Sequence, residues 1–168
     1  MDVIRAILDG IAIAAIFNGA VVAWVLINPR YFFGSYPKAI QKSAPEQMTQ
    51  KEKKINLILT IVICGICFIY SAVSLLHTNV SGFWNLFWMG YIQWSILNLG
   101  GFFLLDCLLF QGKYKDKIVI PGTEGHHDYE FGNWMKHLAI MEHFVLTPFL
   151  IIPFVATIQA LIVGLSGR

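Results

Sequence analysis

The sequence predicts an all-α fold: an integral membrane four-helix bundle with both termini outside and a kinked fourth helix. Three observations predict it. Hydrophobic residues make up 57% of the 168-residue chain and charged residues only 13%, against about 25% charged in a soluble domain, and mean hydropathy is +0.63. The apolar residues fall into four runs, each long enough for the roughly 20 residues that cross a hydrocarbon core. Barrel-strand patterning is absent, so helices are the form that satisfies the backbone in lipid. Finally, ten of the twelve Lys and Arg residues fall in or beside two of the connections.

The first run, about 9–28, stops at Asn28-Pro29. Asp2 and Asp9 flank Arg5, so the head is not cationic, and Trp-Val-Leu-Ile ends the run without a small-residue cleavage site. A retained helix is expected rather than a signal peptide. On it, Gly10, Ala14 and Asn18 share a face. The second run, about 55–76, carries Asn56, Thr60, Cys64, Cys67, Ser71 and Ser74 on one side, continued by Thr78. The third, about 84–110, spaces Tyr91, Ser95, Asn98, Phe102 and Asp106 at helical intervals. Such small and weakly polar stripes are how membrane helices approach and bond. The fourth, about 137–165, contains Pro148 and Pro153, which predict a kink. The loops are 29–54 and 111–136, and 168 residues leave no room for a separate soluble domain, so the chain reads as one unit.

Orientation follows from the cations. Arg30, Lys38, Lys42, Lys51, Lys53 and Lys54 lie in the first loop, and Lys113, Lys115, Lys117 and Lys136 in or beside the third connection. Only Arg5 and Arg168 lie on the other side. Positive loops stay inside, which puts both large loops in the cytoplasm of a cell-membrane protein. Residues 43–54, SAPEQMTQKEKK, read as a solvated connector. The three cysteines sit in apolar segments, which excludes a secreted disulfide scaffold. Cys64 and Cys67 belong to the small-residue stripe, and no second pair exists to pass electrons onward. No nucleic-acid motif occurs, so the expected partners are the lipid bilayer and a second copy or another membrane protein.

The chemistry gathers in PGTEGHHDYEFGNWMKHLAIMEHF, residues 121–144, which hold four of the five histidines and four of the ten acids. Imidazole and carboxylate suit a transition metal, with His126, His127, Glu130, His137 and His143 as candidate ligands. The spacing names no metal motif: His126 and His127 stand four and three residues from Glu130, and His137 and His143 stand six apart, off one helical face. Asp106, about one turn inside the third helix, is a functional candidate because an intramembrane carboxylate is costly unless paired or wet. With His137, Glu142 and His143 it forms the candidate acid–base set. The expected function is binding of a ligand or partner through this His/acid cluster. The alternatives are an enzyme, metal-dependent or not, acting on a lipid-like substrate, and a proton-coupled homodimeric carrier. The sequence names no cofactor. A cavity lined by Asp106, His137 and His143 would favour ligand chemistry.

Overall fold

Asp2 accepts the Arg5 backbone N–H at 3.0 Å and opens α1, Val3–Ile27. An aspartate in that position takes one of the N–H groups a helix start leaves unpaired, so α1 begins six residues before the apolar run. The computed structural model describes residues 1–166 and holds no strand among them; Arg168 lies outside the described residues. After Pro29–Ser35, a tight 3₁₀ turn, come α2, Lys38–Ser43, and α3, Gln50–Leu76. Residues 43–54 are therefore a connector only in part. Thr49 and Glu52 form a reciprocal cap, which starts α3 inside the polar stretch. Arg30 bonds Glu52 at 2.6 Å and the carbonyls of Glu46 and Gln47, closing the loop upon itself. The hydrogen bond to Glu52 holds the Arg30 guanidinium above its ordinary pKa.

α4, Phe83–Lys113, follows Gly82, whose φ of 88° favours glycine. α5, Phe131–Leu165, starts six residues before the expected 137. Both helices contain wide π-wound stretches: Gly101–Lys113 in α4, and Met135–Ala139 and Glu142–Ile151 in α5. Pro148 lies inside the last of these, and Pro153 in the first turn of the α-wound remainder. The helix thus runs through Pro148 by widening its turns and takes Pro153 where the α-wound part begins.

The four long helices are each apolar and long enough to cross a membrane. α1 and α4 form the most extensive pairing, followed by α4 with the Ile152–Leu165 half of α5. Glycines make the first contact possible. A β-carbon on Gly10 would lie 2.8 Å from Ile96 Cδ1, and one on Gly100 2.8 Å from Asn18 Nδ2. Buried polar side chains then bond across the helices. Ser71 donates to Gln93, Trp94 Nε1–H donates to Gln159 Oε1 at 2.9 Å, and Gln159 donates to the Phe68 carbonyl at 3.3 Å. Gln93 and Gln159 were not on the expected stripes. Of the expected stripe on α3, Cys67, Ser71, Ser74 and Thr78 are buried, whereas Thr60 is exposed. Outward faces carry Leu57, Ile61, Phe149, Leu150 and Phe154. The cysteines are free, and Cys67 packs against α1 with Sγ 3.8 Å from the Ile13 carbonyl.

Arg5 donates to the His77 carbonyl at 3.2 Å, so the N-terminus and the 77–83 turn share one end. The opposite end, hereafter the loop end, is filled by Phe33, Tyr36, Ile40, Ile118, Ile120 and Tyr129 packed under the last turns of α1 and the wide part of α4. This apolar floor fixes the segment that carries the histidines.

Candidate functional site

The four histidines expected to act together occupy two separate places. His143 lies among the helices. Its Nε2 is 2.9 Å from Asp106 Oδ2, and its Nδ1 is 2.7 Å from Asn98 Oδ1. Asp106 Oδ1 accepts the indole N–H of Trp134 at 2.8 Å. Asn98 also donates through Nδ2 to the main-chain carbonyl of His143 at 2.8 Å. Pro148 explains why that carbonyl is free. In a π-wound turn the N–H of residue 148 would bond the carbonyl five residues earlier, that of His143, and proline has no N–H. Asn98 takes the acceptor instead.

The amide clamp settles the imidazole's tautomer. A carbonyl only accepts, so the Asn98 NH₂ faces the main chain and its Oδ1 faces the ring. His143 Nδ1 therefore carries a proton and donates it. Nε2 then faces Asp106 Oδ2 across a hydrogen bond. Both nitrogens of His143 are engaged. Gly101 permits the arrangement, because a β-carbon there would come 3.0 Å from the ring's Cε1.

Beside this group lies a cavity of about 500 Å³ bounded by all four long helices, within the size range of small-molecule sites. Asp106, Glu142 and His143 line it, and no Lys or Arg does. Most of its wall is apolar, with Phe17, Trp24, Trp94 and Phe110 among the aromatics. Asn18 also lines it. This residue is 3% exposed, and neither its Oδ1 nor its Nδ2 has a hydrogen-bond partner. The expectation that His137 would join Asp106 and His143 at a cavity is corrected here. His137 is six residues from His143, and the helix turns it away into the loop.

There, Asp128 is the organiser. Its Oδ1 lies 2.9 Å from His137 Nδ1 and 3.2 Å from His127 Nε2. Its backbone N–H donates to His126 Nδ1 at 3.1 Å, and the His126 and His127 rings stack 4.6 Å apart. Asp128 is fully buried, while His127 and His137 are exposed. Tyr129 braces the turn by accepting the Ile120 N–H at 3.0 Å and bonding the Thr123 hydroxyl at 2.8 Å. Burial raises the pKa of the Tyr129 phenol, keeping it a neutral donor and acceptor. Of the metal candidates, His126 and His127 come together with Asp128, their ligand atoms within 4.8 Å of one another. Glu130 does not join them: it is exposed, standing at the start of α5.

Sequence reading placed Asn98 on the correct face without a site role, and it missed Trp134 and Asp128. The legible signal for Asp128 was its position between two histidines and an aromatic anchor. No protein-family model matches the chain, and no curated protein or solved structure matches it.

Proposed function

We propose that this chain is a multi-pass protein of the cell membrane, a four-helix bundle that binds a small ligand in the cavity beside Asp106, Glu142 and His143. The carrying observation is a buried polar group and a roomy, mostly apolar cavity meeting at one place. Intramembrane ionisable residues of this kind mark functional sites by default. The cation bias puts the loop end in the cytoplasm with both termini outside. A membrane-impermeant maleimide tests that orientation: Ser81→Cys reacts in intact cells, and Ser43→Cys reacts only after permeabilisation. The reverse pattern overturns it. Ligand binding is tested by extracting protein purified in lipid nanodiscs. The wild type retains a small molecule at near-stoichiometric level, and Thr147→Trp, which fills the cavity, loses it. A wild type that retains nothing contradicts the proposal.

A proton-coupled carrier is the second reading, supported by the hydrogen-bonded Asp106–His143 pair at the cavity wall. Asp106→Asn would then abolish proton-driven uptake in proteoliposomes. The enzyme reading has less support. With both imidazole nitrogens engaged, His143 has no free lone pair with which to take a substrate's proton.

A further inference from the structure

We infer that the cavity takes an organic cation, an apolar body with a monovalent ammonium head, held by Glu142 and the aromatic wall around Trp24; this rests on the ligand-binding reading above.

Charge comes first. Asp106 and Glu142 line the cavity, and no Lys or Arg does. The one imidazole there is bonded to Asp106 and Asn98. Any charge on His143 therefore faces Asp106, at 2.9 Å. Glu142 is different. Among the described residues it makes no hydrogen bond and no ion pair, yet it is exposed and lines the cavity. A carboxylate in apolar surroundings is costly until a positive charge meets it. An anionic head would add a like charge in a site of low dielectric. A neutral head would leave the carboxylate uncompensated. A cationic head supplies the missing charge.

The aromatic side chains bear on the same head. α1 and α4 run in one direction, since Gly10 lies against Gln93 and Ile96, and Asn18 against Gly100 and Gly101. Trp24, six residues past Asn18, therefore stands level with Asp106, five residues past Gly101. His143 also lies against Gly101, which brings its neighbour Glu142 within about one turn of that level. Trp24 stacks on Phe32 with ring centroids 5.8 Å apart, and both line the cavity half-buried. Aromatic faces attract organic cations, most strongly once water is excluded. Carboxylate and indole thus stand at one depth of the same cavity.

The wall also separates an organic cation from a metal ion. Calcium and magnesium take about six to eight oxygen ligands, whereas this lining is mostly apolar. A bare ion would lose its hydration to hydrocarbon. An ammonium head on an apolar body brings a body that such a wall can cover.

The test uses the full chain in zwitterionic nanodiscs and three photoreactive probes that share one aryl-diazirine body. Their heads are trimethylammonium, its uncharged tert-butyl isostere, and a carboxylate. Crosslinks are mapped by mass spectrometry. Labelling of Phe17 and Trp24 is divided by labelling of Phe154 on the outward face, which cancels differences in partitioning into the bilayer. In the wild type the trimethylammonium ratio exceeds the tert-butyl ratio about tenfold, and the carboxylate ratio falls below both. Glu142→Gln brings the first two ratios together. Trp24→Leu, read at Phe17, lowers the trimethylammonium ratio about threefold. Equal ratios for the three heads, or the highest ratio for the carboxylate, overturn the cation assignment and leave ligand binding standing. A trimethylammonium preference unchanged by Glu142→Gln also overturns it. No labelling of Phe17 or Trp24 by any probe overturns the ligand reading itself. The comparison among probes uses wild-type protein, so it does not depend on a variant folding.

Discussion

His143 and His137 each meet an aspartate oxygen at 2.9 Å, yet the two pairs stand in opposite settings. In the helix pair, both side chains are shielded: His143 is 13% exposed and Asp106 10%. In the loop pair, the carboxylate is 1% exposed but His137 is 40% exposed, and the second imidazole on that carboxylate, His127, is 66% exposed. The distance is the same, so distance does not distinguish them. The supporting shell does. Asn98 and Trp134 fill the remaining positions around Asp106 and His143, so each group has a fixed partner. In the loop, water can replace either imidazole at once. A hydrogen bond shielded from water is stronger and its loss more costly, which makes the helix pair the structural centre of the candidate site and the loop pair a surface feature braced from beneath.

The sharpest way to break this contrast is to delete each carboxylate. Asp106→Ala strands the Trp134 indole N–H and the His143 Nε2 together, at a cost of about 3 kcal/mol or more. Asp128→Ala frees two imidazoles that rebond to water and removes a buried carboxylate oxygen that already lacks a partner; its cost is about 1 kcal/mol or less. Thermal unfolding in nanodiscs measures both. Equal losses would show that the two pairs are alike after all.

Asn98 sharpens the comparison next. Asn98→Leu leaves the His143 carbonyl and Nδ1–H unpaired, at about 2 kcal/mol. Adding Pro148→Ala supplies an N–H at residue 148 that can bond that carbonyl, recovering about 1 kcal/mol. Such a rescue is a coupling visible in a double-mutant cycle. Additive losses would contradict the account of why Asn98 and Pro148 occur together.

The smallest effect is expected from chelation. Tyr129, Ile118 and Ile120 pack beneath the histidine loop and anchor it. EDTA should therefore leave the unfolding temperature unchanged. A fall of several degrees, abolished by Asp128→Asn, would instead reveal a metal among His126, His127 and Asp128.

The long helices and their approximate limits were legible because apolar length and cation placement are local properties. The helices begin before the apolar runs where a polar cap extends them: Asp2 at α1, and Thr49 with Glu52 at α3, both readable as capping signals. Part of the candidate site's geometry was legible. Asp106 and His143 stood out as ionisable groups in apolar surroundings, and Glu142 beside them also reaches the cavity. Their partners did not stand out. Asn98 meets His143 across 45 positions of sequence, and Trp134 meets Asp106 across 28. Such pairings depend on helix packing and on turns widened to π-winding, which the periodicity of an ideal α-helix does not anticipate. His137 was misassigned for the same reason, since clustering along the chain is not clustering in space.

The most direct test of the division between the two pairs is diethyl pyrocarbonate footprinting of the protein in nanodiscs, with each histidine resolved by mass spectrometry. The account predicts rapid modification of His127 and His137 and protection of His143, with protection lost in Asp106→Ala. Modification of His143 at the same rate as His127 would contradict it.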